Sequence, residues 1–403
     1  MRHARFLGCL SAVMGFAAFD AANNFAYADI GASMKIYGFG EADYIYDSKR
    51  VDPNWEDAFR PSKIATPEGE FGSDGQSSVS VKQSRFGVSG SHPTDTDWGP
   101  VNFKFEFDLF GVGADEGQTT FRLRHAYGEW GMLLAGQTNS VFMDGDVFPN
   151  VIDYWGPAGM VFLRTPQLRL TPYRTEHSHF SIAIEKPGND IDPGQLRELD
   201  PDLGPNISND EKMPDLTMQY YTSDTWGHAQ LASILRRVGY DSPNEPGNAP
   251  NGAQLGWGVN ASGHVNVLEK DKLIGQVVHG EGIASYMNDG GVDLAAEGVP
   301  GALHPKSVPL TGVVAYYDRT WCDYLTTSLG YSFTQVDNTN LQEPTAFHKG
   351  QYASVNLLWT PTKDILIGGE LLWGKRTDAD GVTGDDIRFQ FSVKYSWGQK
   401  FDI

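Results

Sequence analysis

Two arginines in the segment FRLRHAYGEW, residues 121 to 130, are the first residues whose spacing suggests chemistry. Side chains alternate between the faces of an extended chain, so Arg122 and Arg124 share one face while Phe121 and Leu123 share the other. Arginine keeps its charge at every working pH and can bind a carboxylate through two parallel hydrogen bonds. If the charged face meets water, this pair predicts a site for anionic solutes.

Further basic residues lie in neighbouring strand-like segments and extend this candidate site: Arg85, Lys104, Arg164 and Arg169. Lys104 lies on the polar face of its segment. Arg164 and Arg169 would lie on opposite faces of a regular strand. Pro166, between them, predicts a β-bulge that returns both side chains to one face. On a lipid-facing wall each charge would cost about 2 to 4 kcal/mol at mid-membrane, so we expect these side chains to face a water-filled lumen.

The segment NSVFMDGDVFPNVIDYWGPAG, residues 139 to 159, is predicted to be a loop that folds into that lumen. Its many apolar side chains would be a liability on an exposed excursion. Packing against the inner wall removes them from water and narrows the channel. We expect its aspartates to face the arginines and to create a transverse field that filters charged solutes. These are Asp144, Asp146 and Asp153.

Signals for catalysis or metal binding are weak. His177 and His179 are two residues apart and could bind a metal, but a contact at the rim of the sheet is favoured beside a short turn. His279 and Glu281 could form an acid and base pair across a lumen, yet no nucleophile or oxyanion site of recognisable spacing accompanies them. Phosphate-binding, zinc-finger and dinucleotide motifs are missing from the sequence. We therefore predict no enzyme, no metal and no cofactor.

Strands with a strict period of two must position these residues. The segment VNFKFEFDLF, residues 101 to 110, and the segment IRFQFSVKYSW, residues 387 to 397, both alternate apolar and polar side chains. The same template predicts sixteen strands, at about residues 34–47, 77–91, 98–111, 118–130, 132–138, 160–172, 178–187, 214–223, 226–240, 253–266, 272–287, 308–318, 321–336, 347–360, 364–376 and 386–397.

Short polar turns alternate with long loops between these strands, and the long loops fall near 48–76, 139–159, 188–213, 241–252, 288–307 and 337–346, with shorter ones near 112 and 380. This rhythm is typical of a closed up-and-down β-barrel of the outer membrane. Six tryptophans lie at the strand ends beside the short turns, as an aromatic belt would: Trp98, Trp130, Trp226, Trp321, Trp359 and Trp397. The sequence thus predicts an all-β, sixteen-stranded antiparallel transmembrane barrel.

The N-terminus resembles a secretory signal, because Arg2 and Arg5 precede a short apolar run that ends in AYA. Cleavage after Ala28 leaves residues 29 to 403 as the barrel. After the signal no apolar run reaches the roughly 18 residues that a transmembrane helix needs. The formal net charge of -20 argues against nucleic acid as a partner. Outer-membrane lipids and small hydrophilic solutes are the expected partners.

The segments RFGVSG, FKFEFDLFG, FRLRHAYGEWGMLLAGQTNSVFMDGDVFPN and GPAGMVFLRTPQLRL, within residues 84 to 170, resemble the DcaP-like porins of Gram-negative outer membranes. The resemblance implies a homotrimer of sixteen-stranded barrels that admits small, often negatively charged solutes such as dicarboxylates. It also implies an arginine-lined constriction at Arg122 and Arg124, extended by Arg85, Arg164 and Arg169. Two departures are expected, since no coiled-coil stalk precedes the barrel and the last strand ends at Trp397, six residues before the C-terminus.

Two other functions remain open from the sequence. An outer-membrane barrel enzyme, such as a lipase or protease, would need a nucleophile and a base together at one cluster of strand ends. A secreted soluble β-sheet protein that binds a ligand would need its apolar faces to pack on each other instead of facing lipid. A passive channel with a preference for anions is the leading hypothesis.

Overall fold

The computed structural model describes residues 31–111, 120–194, 207–299 and 302–402. The predicted signal at residues 1 to 28 and the short loop predicted near residue 112 lie outside these residues. The described chain consists mainly of strands and loops, with single-turn 3-10 helices at Pro53–Trp55, Pro61–Lys63, Gly145–Val147, Pro246–Asn248 and Ala284–Tyr286. None of its helices has the length and apolar character needed to span a membrane.

The strands are numbered in chain order. They are β1 (Ser33–Asp47), β2 (Gln76–Ser80), β3 (Arg85–His92), β4 (Val101–Asp108), β5 (Arg122–Trp130), β6 (Leu133–Asn139), β7 (Arg164–Arg174), β8 (Ser178–Glu185), β9 (Ile191–Asp192), β10 (Ser208–Asn209), β11 (Asp215–Asp224), β12 (Gly227–Asp241), β13 (Gly252–Val267), β14 (Asp271–Glu281), β15 (Leu294–Val299), β16 (Ala302–Ser307), β17 (Pro309–Cys322), β18 (Leu325–Val336), β19 (Phe347–Thr362), β20 (Ile365–Asp378) and β21 (Thr383–Asp402). Strands β9, β15 and β16 form a small separate sheet within the long loops.

The other strands form one sheet that closes on itself. The first strand, β1, pairs with the last, β21, from Ser33 opposite Asp402 to Asp47 opposite Arg388. The other edge of β1 pairs with both β2 and β3, which are two halves of one barrel strand interrupted at residues 81–84. Strand β10 pairs with β12 and extends β11 in the same way. The result is the predicted closed antiparallel barrel of sixteen strands.

Side chains alternate between the outside and the lumen as predicted. On β21, Phe389, Phe391 and Val393 are exposed on the outer surface, whereas Arg388 and Gln390 are fully buried. In water an exposed apolar row of this kind would be unfavourable, whereas in a membrane it meets lipid. The polar row is buried because the long loops fold into the lumen and cover it.

The connections alternate in length, which places all short turns at one end of the barrel. Turns of two or three residues occur at 131–132, 175–177, 225–226, 268–270, 323–324 and 363–364, with a longer one at 93–100. Five of the six predicted belt tryptophans are exposed: Trp98, Trp226, Trp321, Trp359 and Trp397. The sixth, Trp130, packs against Trp98 with ring centres 4.9 Å apart and ring planes tilted by 41°.

Several predicted strand ends were wrong. The strand predicted to reach residue 287 ends at Glu281, because the chain turns into the 3-10 helix at Ala284–Tyr286. The turn between the predicted strands 308–318 and 321–336 lies further along the chain, at 323–324, because β17 continues to Cys322. The last strand does not end at Trp397, because its pairing with β1 continues to Asp402. Near each of these ends the alternation of apolar and polar residues is too short to mark a boundary.

The apolar core lies inside the barrel, where loops pack against lumen-facing side chains. One cluster joins loop residues to β12, β14 and β17, and includes Phe142, Ile234, Val278, Ile283 and Leu310. A second joins Val147 and Met160 to β14, β17, β19 and β20, and includes Phe59, Tyr316, Tyr352 and Leu372. These contacts hold the inserted loops in fixed positions across the channel.

Candidate constriction site

A β-bulge between β4 and β5 orients the arginine pair. Arg122 lies opposite Asp108 and His125 lies opposite Glu106, which leaves Arg124 as the extra residue of β5. An extra residue changes the parity of the strand beyond it. Arg122 and Arg124 both face the lumen, as predicted, and His125, whose parity in a regular strand is outward, is also turned inward and buried.

Two carboxylates of β4 hold the arginine pair in place. Arg122 donates two hydrogen bonds to Asp108, at 3.1 and 2.8 Å. Arg124 donates to Glu106 at 2.9 Å and to Asp108 at 2.8 Å. Charge-assisted bonds of this kind fix both the position and the plane of a guanidinium group. Arg124 is 8 % exposed, whereas Arg122 is only partly buried and lines a cavity.

Arg85 and Lys104 complete this cluster around Glu106. Their side-chain nitrogens lie 3.6 and 3.2 Å from its carboxylate oxygens. Four cations therefore surround the two carboxylates of Glu106 and Asp108, which leaves an excess of two positive charges on this wall. The predicted lumen-facing position of Arg85 and Lys104 agrees with these contacts.

Arg164 and Arg169 reach the lumen in a different way from that predicted. The pairing of β6 with β7 is regular across Pro166, so the bulge predicted there is wrong. Arg164 is the first residue of β7, and its guanidinium lies 4.8 Å from the centre of the Phe162 ring, near Arg122 and Arg124. Arg169 faces the lumen further along β7 and donates to the carbonyl oxygen of Asn139 at 2.6 Å.

The loop from residue 139 to 159 folds into the lumen, but two of its three aspartates are anchors and do not face the arginines. Asp144 accepts from Ser262 at 2.7 Å and lies 2.8 Å from Nε2 of His228. Asp153 accepts from the backbone N–H groups of Phe59 and Gly156. Both carboxylates are buried because the loop packs tightly on the wall, and their hydrogen-bond partners come from that wall and from neighbouring loops.

Asp146 is the exposed member of the three aspartates. Its carboxylate accepts a hydrogen bond from the Tyr221 hydroxyl at 3.0 Å. The structure therefore does not show the predicted opposition of loop aspartates and wall arginines. Instead, the loop contacts the arginine wall through Tyr154, whose hydroxyl donates to Asp108 at 2.8 Å and accepts from Arg124 at 2.9 Å.

Amide side chains on the inner wall fix the backbone of this loop. Each of them donates to a loop carbonyl oxygen, which gives that buried backbone acceptor a partner and fastens the loop to the wall. The six amides are Gln83, Gln230, Asn260, Gln276, Asn356 and Gln390. The sequence analysis did not identify these amides, although the alternation of side chains between the two faces could have indicated that they face the lumen.

Sequence reasoning also missed Arg60, which lies in the long loop between β1 and β2. Its guanidinium contacts the rings of both Trp55 and Trp155, 4.2 and 4.6 Å from their centres. It also forms an ion pair with Asp289 at 3.0 Å. Cation–π contacts with both rings hold this side chain at the edge of the same cavity as Arg122.

Two adjoining cavities mark the open part of the lumen. One, of about 480 Å³, is lined by Arg60, Arg122 and Arg164, and the other, of about 490 Å³, shares Arg164 and Asp190 with it. Burial raises the pKa of the Asp190 carboxyl, and the nearby Asp293 adds to that rise. The Asp190 carboxyl therefore becomes protonated at a higher pH than an ordinary aspartate.

The histidine candidates do not assemble into a catalytic or metal-binding pair. His279 lies on the outer face of β14, where it contacts Thr311 at 2.9 Å, so it does not face Glu281 across the lumen. His177 is exposed in a short turn. His179 stacks on Tyr221 with ring centres 4.9 Å apart, inside the barrel.

Comparison with known proteins places this geometry among outer-membrane channels. The profile of a family described as DcaP outer membrane protein matches residues 28–397. The crystal structure of the outer membrane channel DcaP of Acinetobacter baumannii is 24% identical, with 91% of this chain and 98% of that chain covered and a TM-score of 0.76.

More distant structures share the fold alone. The anion-selective porin from Comamonas acidovorans is 10% identical over 91% of this chain and all of its own length, with a TM-score of 0.55. A trimer form of OmpT, an outer membrane protein of Vibrio cholerae, has the same identity, coverage and TM-score. No curated protein sequence matches the chain.

Proposed function

Because this chain belongs to the DcaP outer membrane protein family and lies in the bacterial outer membrane, we propose that it is a porin that prefers small anions such as dicarboxylates. The observation that carries the proposal is the excess of positive charge on one wall of the lumen. Arg122 and Arg164 line the open cavities, and only part of the charge around them is neutralised by Asp108 and Glu106.

The arrangement suits a carboxylate in transit. Guanidinium groups form parallel hydrogen bonds with carboxylates, and partners already fix the planes of Arg122 and Arg60. In a narrow channel with low-dielectric walls such charges concentrate anions and repel cations. Passage also requires weak binding, and the cavities provide water-filled space beside the arginines.

The two competing functions are less well supported. The exposed apolar rows of the outer wall and the family membership place the protein in a membrane, so the secreted soluble alternative is wrong. For an enzyme, the histidine pairs suggested by the sequence would have to meet a nucleophile, and in the structure His279 faces outward. Passive diffusion needs no such groups.

We also propose a homotrimer, which rests on the family resemblance and on the outer wall around β1. Small residues face outward there, among them Gly40 and Ala42. Small side chains let membrane-embedded surfaces approach closely. One structure that shares this fold, OmpT of Vibrio cholerae, has been solved in a trimer form.

Reversal potentials under a salt gradient test the anion preference. Arg124 is buried, whereas Arg122 is partly exposed, so we expect that Arg122 can be replaced with less disturbance of the wall. We therefore choose the double variant Arg122→Ala, Arg164→Ala, which leaves Arg124 in place. It should lose much of its preference for anions over cations, keep or raise its conductance, and differ less from the wild type at high salt because of screening.

The control Lys270→Ala, Lys363→Ala removes the same charge from two short turns outside the lumen. Its reversal potential should match that of the wild type. Equal ion selectivity in the lumen variant, the control and the wild type, with all three shown to be folded by heat-modifiable electrophoretic mobility, would mean that these arginines do not filter ions.

A further inference from the structure

Two loop carboxylates and a wall histidine converge near the short-turn end of the barrel. One ligand atom from each of Asp144, Asp146 and His228 can be chosen so that all three lie within 4.8 Å of one another. Asp144 and Asp146 flank Gly145 in the inserted loop, and His228 is the second residue of β12. Carboxylate oxygen and imidazole nitrogen together are the ligand set of zinc and similar transition metals.

The separation of the ligand atoms suits a small ion. Nε2 of His228 lies 2.8 Å from the nearer carboxylate oxygen of Asp144. Two ligands on a tetrahedral ion with bonds of about 2.0 Å are roughly 3.3 Å apart. Small side-chain rotations therefore bring these atoms into bonding positions. Asp146 is exposed, which gives an ion a path from the lumen.

Charge at this place favours a cation. Asp144 is 2 % exposed, and its only ion-pair partner among the described residues is His228. Asp146 makes no ion pair in the part of the chain that the structure covers, and its neighbour is the uncharged Tyr221 hydroxyl. A buried carboxylate without a cation is costly, and a second carboxylate beside it increases that cost.

The surrounding side chains resemble the support that metal ligands receive. The Ser262 hydroxyl donates to Asp144, and Nδ1 of His264 lies 2.6 Å from Nδ1 of His228. A metal-bound histidine usually donates its second ring N–H to a neighbour. If Nε2 of His228 binds an ion, its proton resides on Nδ1 and is donated to His264. The ring is also held by stacking on Tyr221, 5.2 Å away.

We propose that Asp144, Asp146 and His228 bind one divalent transition-metal ion of the zinc class, with His264 as the positioning residue for His228. The ion joins the inserted loop, residues 139–159, to β12 and adds positive charge to the lumen. A structural latch alone needs only the bond between Asp144 and His228, and gives Asp146 no part beyond its hydrogen bond from Tyr221. The two explanations differ in whether the protein binds metal.

Calorimetric titration of Zn²⁺ into the full mature chain, purified in detergent and freed of metal with a chelator, tests the proposal. The wild type should bind one ion per chain, and Co²⁺ at the same site should give the visible absorption of a tetrahedral complex. His264→Gln should weaken binding by about 10- to 100-fold, as loss of an outer-shell partner does. The control His279→Gln, on the outer face of β14, should bind as the wild type does.

Direct ligand variants should lose the site. His228→Gln should bind no Zn²⁺, and Asp146→Asn should behave in the same way while keeping the fold, because its side chain is exposed. Asp146→Asn thus decides the matter even if His228→Gln does not fold. The proposal is overturned if the wild type binds no Zn²⁺ or if Asp146→Asn binds it with unchanged affinity.

Discussion

Arg124 joins two strands and the inserted loop through one guanidinium group. It donates to Glu106 and Asp108 on the neighbouring strand, and to the hydroxyl of Tyr154 on the loop. Lysine could not reproduce these contacts, because a single ammonium group lacks the planar set of donors. At the residue scale this arginine is therefore a structural support of the charged wall, whereas its neighbour Arg122 is open to solute.

The hydroxyl of Tyr154 allows this support to be tested separately from the charge. Tyr154→Phe keeps the ring that stacks on Phe110, at 3.9 Å between centres, and removes the hydrogen bonds that join the loop to Arg124 and Asp108. A hydrogen bond to a charged group contributes about 1.5 to 3 kcal/mol, so the variant should unfold at lower urea concentration. In single-channel recordings its current should fluctuate more, with unchanged ion selectivity.

Tyr44→Phe is the matched control for Tyr154→Phe. The Tyr44 hydroxyl is exposed, and its contact with the Ser77 hydroxyl is long, at 3.5 Å, so its loss should matter little. It should resemble the wild type in both measurements. If the two variants show the same stability and the same current noise, the Tyr154 hydroxyl does not fasten the loop to the wall.

At the scale of the elements, strand positions follow from local sequence, whereas the contacts between them do not. Alternation along β4 and β21 predicts which side chains face lipid, because period two is a property of each strand alone. The inward fold of the loop was also predictable from its apolar content. The bulge at Arg124 was not, since it depends on the register between two strands.

The same limit applies to the polar contacts. Parity placed Glu106 and Asp108 in the lumen beside the arginines, but which acid pairs with which base depends on strand register. Asp144 and Asp153 were predicted to face the wall arginines because the loop that carries them was expected to fold into the lumen. Asp144 instead contacts His228 and Ser262, which lie far along the chain, and Asp153 accepts from Phe59, so a local pattern cannot identify these contacts.

The hydrogen bonds that hold the backbone of the inserted loop, residues 139–159, give a prediction at the scale of the elements. Gln83 and Gln390 both donate to the carbonyl oxygen of Ile152, at 2.8 and 3.2 Å. In the double variant Gln83→Ala, Gln390→Ala this buried oxygen loses both partners, which costs about 1 to 3 kcal/mol. The loop should detach locally, so single-channel recordings should show more frequent partial closures.

Gln351→Ala serves as the control, since Gln351 donates to the hydroxyl of Tyr331 in an exposed contact away from the loop. Its channel should close no more often than the wild type. Undisturbed recordings from the double variant would indicate that the apolar contacts of Phe142 and Val147 hold the loop without the amides.

At the scale of the whole molecule, a negative net charge coexists with a basic cluster on one wall of the lumen. The chain carries 51 acidic residues and 31 basic ones. The basic cluster lies on the wall formed by β3, β4, β5 and β7, around Arg85, Lys104, Arg122 and Arg164. The field that a solute meets depends on the nearest charges, because salt screens distant ones over about 8 to 10 Å. An acidic protein can therefore contain a channel that attracts anions.

The last prediction concerns the proposed trimer. Two outward-facing glycines, Gly40 and Gly275, provide matched positions on the outer wall for its test. A side chain at Gly40 on β1 would meet nothing within 4 Å, so Gly40→Leu should not disturb the monomer. If β1 lies in a trimer interface, the added side chain prevents close approach, and native mass spectrometry in mild detergent should show monomers. Gly275→Leu, on β14, meets only a carbonyl oxygen at 4.0 Å and should remain trimeric, because we expect that wall to face lipid. Trimers in both variants would exclude the β1 wall as the interface, and a monomeric wild type would refute the trimer itself.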